Sequence, residues 1–481
     1  MDVWFWIYIA QFGINFLLLI SMIFLERKSL SSIISWMTVL TALPVIGFVL
    51  YIVSGSGLSI RIKRMLKKHQ LYEFEYDKAI TEYLSTQDEV KSLSEDMGLI
   101  NCAYNYGSVL CPKTNIKFFN WGKDKIESLV KDLESAKSSI NIEYYIFADD
   151  STGKRVMDVL IRKAKEGVSV NLIYDSIGCL GAPRRFFRKL KKAGGQVAEF
   201  FPPFGGIRLI NLKMNYRNHK KIVVIDGKIA YTGGINVRDD HMGKKKRVSP
   251  WRDTHLRIEG PGVYPLQTAF LNDWRYVKKE DLDSIDYIKK GYYPTPEKFG
   301  NSYMQVVVSG PNSPIQYIKE TFIKMITNAK SEILIQTPYF IPDESFMGAL
   351  RIAIASGVKV KIMVPQKPDK RTIYMVTLSY LKDIAELGAE VYLYEGFLHA
   401  KTIVVDDNKI SVGTCNLDNR SFGLNFEDTV IIYDKKMNAE YKGYFAEDLA
   451  NSKKADGEYF KKKRWLTKFL QAIFRLFSPI L

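Results

Sequence analysis

The sequence predicts an α/β protein with two pseudo-symmetric lobes, each a mixed sheet flanked by helices, preceded by a two-helix transmembrane hairpin. Three observations lead to this prediction: a repeat at the scale of a domain, alternating helix and strand patterns in both copies, and two long apolar runs near the N-terminus. The chain has 481 residues, which exceeds the usual size of one hydrophobic core, so several units are expected.

The two apolar runs cover residues 3–25 and 33–53. Each has about the 20 residues that a helix needs to cross the hydrocarbon of a membrane, and aromatic residues lie towards their ends. We therefore predict two spans joined by a tight link at 26–32. A basic cluster at 61–68 follows the second run, so the positive-inside rule places both termini and the lobes in the cytoplasm. A hydrophobic hairpin buried in a soluble protein is the alternative.

The chain repeats itself in the same order in its two halves. Matching segments are 125–147 with 318–340, GVSVNLIYDS (167–176) with GVKVKIMVPQ (357–366), and WRDTHLRIEG (251–260) with FEDTVIIYDK (426–435). The last match aligns Arg252 with Glu427. Because helix and strand patterns alternate in both copies, we predict that each copy is one α/β lobe that faces its twin.

The predicted domain boundaries follow from the apolar runs and the repeat. They give a transmembrane hairpin (1–56), a basic connector (57–113), a first lobe (114–295), a second lobe (296–455) and a basic amphipathic C-terminal helix (456–481). In the last segment, apolar residues recur at helical spacing and Lys or Arg occupy other positions, which is typical of a helix in the headgroup plane. Packing on the protein's own core is the alternative.

The charge balance indicates anionic partners. The net charge is +17, from 69 Lys and Arg against 52 Asp and Glu. Such a surface suits nucleic acid or acidic lipid, and charge alone does not choose between them. Two predicted membrane spans beside the lobes favour lipid, so we expect anionic phospholipid and a membrane as partners and no nucleic acid. The oligomeric state is left open.

One short pattern, His-x-Lys-x-x-x-x-Asp followed after ten residues by Asn, occurs once in each predicted lobe. Its members are His219, Lys221, Asp226 and Asn236 in the first copy and His399, Lys401, Asp406 and Asn416 in the second. A His and a Lys two residues apart on a strand share one face. Two facing lobes would therefore bring two imidazoles and two ammonium groups into one cleft.

This arrangement predicts phosphoryl transfer through a covalent intermediate. One imidazole would attack phosphorus, and the opposite imidazole would act as acid and then base. The lysines and asparagines would hold the non-bridging phosphate oxygens, so we expect neither a metal nor a cofactor. For Asp226 and Asp406, capping of a hairpin turn is the alternative to a catalytic role. His241 and His255 receive no catalytic role.

The two windows resemble those of the phospholipase D superfamily, and the whole chain resembles its bacterial cardiolipin synthases. The resemblance extends over essentially all 481 residues and includes NYRNHKKIVVIDGKIAYTGGINV and GTCNLDNRSFGLNFE. It implies phospholipase D-like lobes and a multi-pass protein of the bacterial cell membrane. It also implies that two phosphatidylglycerol molecules give cardiolipin and glycerol.

The resemblance carries the six motif residues onto this chain. They are His219, Lys221, Asp226, His399, Lys401 and Asp406. It favours His219 as nucleophile and His399 as acid and base, although the residues alone leave the two roles open. Glu427 is expected to orient a catalytic histidine. Other readings are a hydrolase or another phosphatidyltransferase of the superfamily, a membrane-tethered nuclease, or a non-catalytic lipid-binding scaffold.

Overall fold

The structure is a computed structural model of the chain. It describes residues 3–24, 30–51, 93–202, 215–244, 249–279, 291–296, 300–461 and 465–478. The basic cluster at 61–68 and most of the predicted link at 26–32 lie outside these residues, so the predicted orientation in the membrane stays a prediction.

The helices lie at the N-terminus, between strands, and at the C-terminus. They are α1 (Val3–Phe24), α2 (Leu30–Ala42), α3 (Pro44–Leu50), α4 (Met97–Asn105), α5 (Gly122–Ser135), α6 (Ser151–Lys165), α7 (Arg184–Lys192), α8 (Val263–Lys278), α9 (Tyr317–Thr327), α10 (Glu344–Ala355), α11 (Arg371–Glu386), α12 (Asn419–Gly423), α13 (Lys435–Ala450), α14 (Gly457–Lys461) and α15 (Trp465–Leu476). A short 3₁₀ helix covers Asp239–Met242.

The strands divide between the two halves of the chain. Those of the first half are β1 (Cys111–Phe119), β2 (Ser139–Tyr144), β3 (Ser169–Asp175), β4 (Gln196–Phe200), β5 (Arg217–Asn218), β6 (Lys221–Ile225), β7 (Ile229–Gly233), β8 (Trp251–Arg252) and β9 (His255–Glu259). Those of the second half are β10 (Ser302–Ser309), β11 (Glu332–Gln336), β12 (Phe340–Ile341), β13 (Lys359–Pro365), β14 (Glu390–Tyr394), β15 (Phe397–Leu398), β16 (Thr402–Val405), β17 (Lys409–Gly413), β18 (Leu417–Asp418), β19 (Asn425–Tyr433) and β20 (Ser452–Lys454).

One continuous sheet contains both lobes. Its order is β20-β14-β13-β11-β16-β17-β19-β10-β1-β9-β7-β6-β2-β3-β4, with β5 attached to β19. Antiparallel pairing of β1 with β10 joins the halves. Each half combines a parallel trio (β2-β3-β4 or β11-β13-β14) with antiparallel neighbours (β6, β7 and β9 or β16, β17 and β19). The predicted pair of pseudo-symmetric mixed-sheet lobes is confirmed.

Burial on both faces of the sheet explains the sequences of the central strands. Every residue of β6 (KIVVI) and β19 (NFEDTVIIY) is buried. Strands covered on both sides carry runs of β-branched residues instead of a strict polar and apolar alternation. This is why the segments after His219 and His399 read as continuous apolar runs, and why any charged residue in them lies away from water.

Helix α4 belongs to the second lobe although it precedes the first. It lies in the stretch that the sequence assigned to a connector. Leu99, Ile100 and Ala103 are buried in the hydrophobic core of the second lobe. Gln305 on β10 also donates a hydrogen bond from Nε2 to the carbonyl oxygen of Ile100 (3.1 Å). The chain therefore packs onto its second half before it enters its first.

At the N-terminus, α1 is the one described helix long and apolar enough to cross a membrane. The second apolar run is not a single helix, because it breaks at Leu43 between α2 and α3. Pro44 has no backbone N–H, so it cannot bond the carbonyl oxygen of Leu40. The Asn15 side chain of α1 donates to that oxygen from Nδ2 (3.2 Å) instead. The polar residue inside α1 thus satisfies a backbone group that the proline frees.

The C-terminal helix α15 packs along α11 with one of its faces. Arg475 donates to Asp383 Oδ2 (2.5 Å) and lies over the ring of Tyr380 at 4.2 Å. The Leu476 carbonyl accepts a hydrogen bond from Ser35 Oγ on α2 (2.9 Å). One helix thus contacts both the second lobe and the apolar N-terminal segment.

The opposite face of α15 is apolar and exposed. Trp465, Leu466, Phe469 and Leu476 are between 52% and 75% exposed. The sequence left open whether this helix packs on the protein or lies on a membrane. The structure shows packing on the protein by one face and leaves the other face uncovered.

Candidate active site

Each predicted histidine directly follows a short strand that pairs with the other half of the chain. Strand β5, which leads into His219, runs parallel to β19, and β15, which leads into His399, runs parallel to β8. The His219 amide donates to the Phe426 carbonyl oxygen (2.9 Å), and the His399 amide donates to the Arg252 carbonyl oxygen (2.6 Å). The two halves therefore exchange strands at the point where the histidines lie.

A carboxylate from the opposite half orients each imidazole. His219 Nδ1 lies 2.8 Å from Glu427 Oε2, and His399 Nδ1 lies 2.7 Å from Asp253 Oδ2. A carboxylate on Nδ1 fixes the tautomer and ring orientation, which leaves Nε2 for chemistry. The predicted contact between Glu427 and a histidine is present. Asp253 makes the equivalent contact and was not identified from the sequence.

Backbone hydrogen bonds fix the register between the repeats at this point. Gly234 N donates to the carbonyl oxygen of Thr254 (2.8 Å), and Thr414 N donates to that of Asp428 (2.9 Å). Gly234 and Thr414 directly follow Gly233 and Gly413, which end the equivalent strands β7 and β17. The residues that accept these two hydrogen bonds, Thr254 and Asp428, are therefore equivalent. This register differs by one residue from the one that matches the shared Asp-Thr pairs of the sequence.

The corrected register removes an asymmetry that the sequence appeared to contain. The alignment made Arg252 the counterpart of Glu427, and that prediction is wrong. Asp253 is the counterpart, because it occupies the equivalent position and makes the equivalent contact. Two carboxylates of different length fill the same place, so identity alone could not align them.

The paired lysines lie beneath the cleft, close to their histidines. Lys221 Nζ donates to the His219 carbonyl oxygen (2.6 Å), and Lys401 Nζ donates to the His399 carbonyl oxygen. Lys401 Nζ also lies 2.9 Å from His399 Nδ1. Both side chains are buried. The structure thus brings the two predicted His-Lys pairs together around one centre.

A cleft of about 790 Å³ opens above this centre. Residues from both halves line it, among them Tyr145, Arg217, His219, Asn236, Arg238, Asp240, His241, Trp251, Lys370, Phe397, His399, Asn416, Arg420, Ser421 and Asn425. Both predicted asparagines are therefore in the cleft. Asn236 is fixed by a hydrogen bond from the Ile146 amide to its Oδ1 (3.2 Å), and Asn416 Oδ1 is buried without a hydrogen-bond partner in the described residues.

The two predicted aspartates lie elsewhere. Asp226 accepts hydrogen bonds from the amides of Lys137, Ser138 and Ser139 (2.7–2.8 Å), and Asp406 does the same with the amides of 330–332. Neither carboxylate lines the cleft. Each ties the turn after its His-Lys strand to the start of the neighbouring strand, so the contacts seen here are those of the turn-capping alternative.

Burial controls the ionisation of the central groups. It lowers the pKa of His219 to about 4 against the opposing charge of Glu427, and lowers that of His399 well below its ordinary value. It also lowers the pKa of Lys221 to about 8 and that of Lys401 to about 7. A bound phosphodiester would favour the charged forms of these groups.

A third imidazole completes one side of the cleft. His241 is buried, and its ring centroid lies 5.3 Å from that of His399 and 4.1 Å from that of Trp251. His241, Asp253 and His399 are the one described group with ligand atoms close enough for a metal ion, all within 4.8 Å of one another. Sequence reasoning gave His241 no role, since it lies outside the repeated pattern. That the reaction needs no metal stays a prediction.

These features define a class of protein. Two α/β halves share one sheet, exchange strands, and place two carboxylate-held imidazoles and two buried lysines around a single cleft. This is a duplicated fold whose site requires both copies, as in phospholipase D-like proteins.

Comparison with known proteins agrees with this class. The family model described as cardiolipin synthase, phospholipase D-like domain, matches residues 129–261 and 322–449. The chain is 42% identical to the major cardiolipin synthase ClsA of Bacillus subtilis (strain 168) over 484 residues, covering 98% of each protein. It is 41% identical to a cardiolipin synthase of Listeria welshimeri, covering 95% of each.

The solved structures support the fold. Phosphatidylserine synthase of Haemophilus influenzae superposes with a TM-score of 0.60 at 15% identity, covering 80% of this chain and all of that one. The chain belongs to the cardiolipin synthase family of phospholipase D-like enzymes. It is an enzyme that acts on phospholipids.

The contact between Asp253 and His399 gives a first prediction. Asp253→Asn should lower kcat by at least about a hundredfold, because the imidazole loses its charged partner and its fixed tautomer. Asp428→Asn is the matched control, since Asp428 bonds Thr232 and not a histidine. Steady-state rates of both purified variants test this. An equal loss in the two would contradict the structural register.

The contacts of Asp226 give a second prediction. Asp226→Asn should lower the free energy of unfolding by about 1–3 kcal/mol, because backbone amides lose a charged acceptor. Burial raises the pKa of Asp226, but the hydrogen bonds outweigh it and the net pKa is lowered. A carboxyl with a lowered pKa stabilises the fold above its unfolded pKa, and loses this contribution as the pH falls through its folded pKa.

The difference in stability between wild-type and Asp226→Asn should therefore be full at pH 7 and shrink below about pH 4. Thermal unfolding of both proteins across this range measures it. Asp406→Asn is the matched variant in the second lobe. Loss of turnover in either variant without any fall in the unfolding midpoint would instead indicate a direct catalytic role.

Proposed function

We propose that this enzyme transfers a phosphatidyl group from one phosphatidylglycerol to another and releases glycerol, which makes it a cardiolipin synthase in activity as well as family. One observation carries the proposal: the crossed halves bring two carboxylate-held histidines and two buried lysines to one cleft. The cardiolipin synthase name of its full-length relatives supports the choice of lipid.

The proposed reaction has two displacements. Nε2 of one histidine, for which we favour His219, attacks phosphorus. The N–P bond forms, the bond from phosphorus to the glycerol oxygen breaks, and His399 gives its proton to that oxygen. A hydroxyl of the second phosphatidylglycerol then passes its proton back to His399 and attacks phosphorus, which releases His219. Retention of configuration at phosphorus follows from the two inversions.

Charge stabilisation in both steps would come from groups already in place. Lys221 and Lys401 are buried beneath the reacting centre, and the amides of Asn236 and Asn416 reach the cleft. Such fixed donors stabilise the charge on non-bridging phosphate oxygens better than water does. The lowered pKa values of both lysines support this role, because an incoming anion would recover the charge that burial disfavours.

We further propose that the enzyme is a multi-pass protein of the bacterial cell membrane with its lobes in the cytoplasm. The apolar helix α1 supports membrane insertion, and the bonds from Asn15 support packing of the broken second run against it. Cysteine accessibility on either side of the membrane tests the orientation. Labelling of a lobe cysteine by an impermeant reagent in intact cells would contradict it.

A lipid-product assay gives the third prediction. Wild-type protein in phosphatidylglycerol vesicles should release glycerol and form cardiolipin in equal amounts, and His219→Ala or His399→Ala should abolish both while vesicle binding remains. Phosphatidic acid as the main product would mean that water is the acceptor and the enzyme a hydrolase. Unchanged turnover in either histidine variant would exclude the proposed chemistry.

We also propose that the exposed face of α15 lies in the headgroup region of the same membrane. Its apolar side chains are large and exposed, and its last turn bonds to α2 beside the apolar α1. The helix also packs on α11, whose first turn includes the cleft residue Ile373. Membrane contact there would hold the cleft near the lipid surface.

The fourth prediction concerns this face. Trp465→Ser with Phe469→Ser should lower the rate on phosphatidylglycerol in vesicles several-fold and leave the rate on dispersed short-chain phosphatidylglycerol unchanged. Ile352→Ser, an equally exposed apolar position on α10, is the matched control and should change neither rate. Equal rates on vesicles for wild-type and the double variant would exclude membrane contact by α15.

A further inference from the structure

Transfer between two phospholipids imposes a requirement that hydrolysis does not. If the proposed function holds, the cleft must bind two anionic phosphates at once, separated by the three carbons of one glycerol. The central His-Lys groups account for the phosphate that reacts. A second anion-binding group is needed for the phosphate that does not react.

The pseudo-symmetry of the cleft shows where the two ends differ. Around His219 lie Arg217, Asn425, Arg420 and Ser421, and at the equivalent positions around His399 lie Phe397, Trp251, Asp240 and His241. The equivalence follows from the two exchanged strand pairs and from the spacing after Asn236 and Asn416. One end thus has two guanidinium groups, the carboxylate of Asp418, an amide and a hydroxyl. The other has two aromatic rings, an imidazole, and the paired carboxylate of Asp240 and guanidinium of Arg238.

The two arginines come from opposite halves of the chain, and Arg420 bonds the segment that leads into Arg217. Arg420 on α12 donates to the Oδ1 and the carbonyl oxygen of Asn215 (2.8 and 2.6 Å), two residues before Arg217. Burial lowers the pKa of Arg217, the charge of Asp175 opposes this, and the charge of Arg420 adds to the lowering. Asp175 offsets part of the charge of Arg217, and the neighbouring charge of Arg420 adds to the attraction of this end of the cleft for an anion.

Two buried polar atoms lie at the same end of the cleft. Ser421 Oγ and Asn425 Oδ1 are buried and have no hydrogen-bond partner among the described residues. Both side chains line the cleft and are more than nine-tenths buried. Asn425 is held in place because its Nδ2 donates to Glu427 Oε1 (3.0 Å), the carboxylate that also orients His219. Buried polar atoms without partners mark places where a ligand completes the hydrogen bonding.

We propose that Arg217, Arg420, Ser421 and Asn425 form a second-phosphate subsite, which binds the non-reacting phosphodiester and glycerol of the acceptor phosphatidylglycerol. The guanidinium groups bind the phosphate oxygens, and the hydroxyl and amide bind glycerol oxygens. The subsite selects an anionic lipid acceptor over water or a free alcohol. It thereby makes the enzyme a synthase instead of a hydrolase.

The test compares two reactions that share every catalytic step except the acceptor. Full-length protein in phosphatidylglycerol vesicles is assayed for cardiolipin formation, and for incorporation of labelled free glycerol into phosphatidylglycerol. Glycerol has no phosphate, so it does not use the two arginines of the subsite. Arg420→Gln and Arg217→Gln should lower cardiolipin formation by about tenfold or more and leave glycerol incorporation within about twofold of wild-type.

Two further variants sharpen the comparison. Arg420→Lys keeps the charge and should recover part of the cardiolipin formation. Arg238→Gln removes a cleft arginine that pairs with Asp240 (3.0 Å) at the opposite end, and should leave the ratio of the two reactions unchanged. Retained glycerol incorporation also reports that each variant is folded and forms the covalent intermediate.

The outcomes distinguish failure of the proposed subsite from failure of the proposed function. Parallel loss of both reactions in Arg420→Gln and Arg217→Gln, or no loss in either reaction, would overturn the subsite alone. If wild-type protein exchanges glycerol but makes no cardiolipin, the proposed function falls, and the subsite with it.

Discussion

The exchange of strands between the two halves is the constraint on which the site depends. Each histidine receives a backbone hydrogen bond acceptor and a carboxylate from the half to which it does not belong. The continuous sheet through β1 and β10 holds the halves at the spacing that this exchange requires. Neither half contains a complete His-Lys site by itself, so duplication here is a structural necessity and not a repetition of independent units.

The same exchange explains the electrostatics. Groups that can carry a positive charge are buried together, and burial lowers the pKa of both imidazoles and both lysines. The free site therefore favours a neutral imidazole, which is the form that can attack phosphorus. An anionic substrate reverses the balance by stabilising the protonated partner that must serve as acid. Binding of an anionic substrate would therefore change the protonation of the buried imidazoles.

The sequence was informative wherever function required a fixed residue type at a fixed spacing. The two His-x-Lys pairs and the asparagines could be located because the repeat preserves them. The alignment of the two copies failed where equivalent positions hold different residue types. Asp253 and Glu427 are structurally equivalent but differ in length, and matching the shared Asp-Thr pair shifted the alignment by one residue. The sequence did not reveal the break at Pro44, because the hydropathy of the run is the same whether or not its helix is interrupted. The interruption depends on the hydrogen bond that the Leu40 carbonyl oxygen loses. The placement of α4 on the second lobe depends on contacts between distant residues, which periodicity does not encode.

The crossed arrangement also orders events in time. During synthesis, β5 and His219 emerge from the ribosome about two hundred residues before β19 and Glu427 exist. Until then, His219 has no strand partner from the second half and no orienting carboxylate. It follows that the nascent chain cannot complete the carboxylate-held pair of histidines before β19 has been synthesised. The order of the strands along the chain therefore makes the His219 site one of the last features to form.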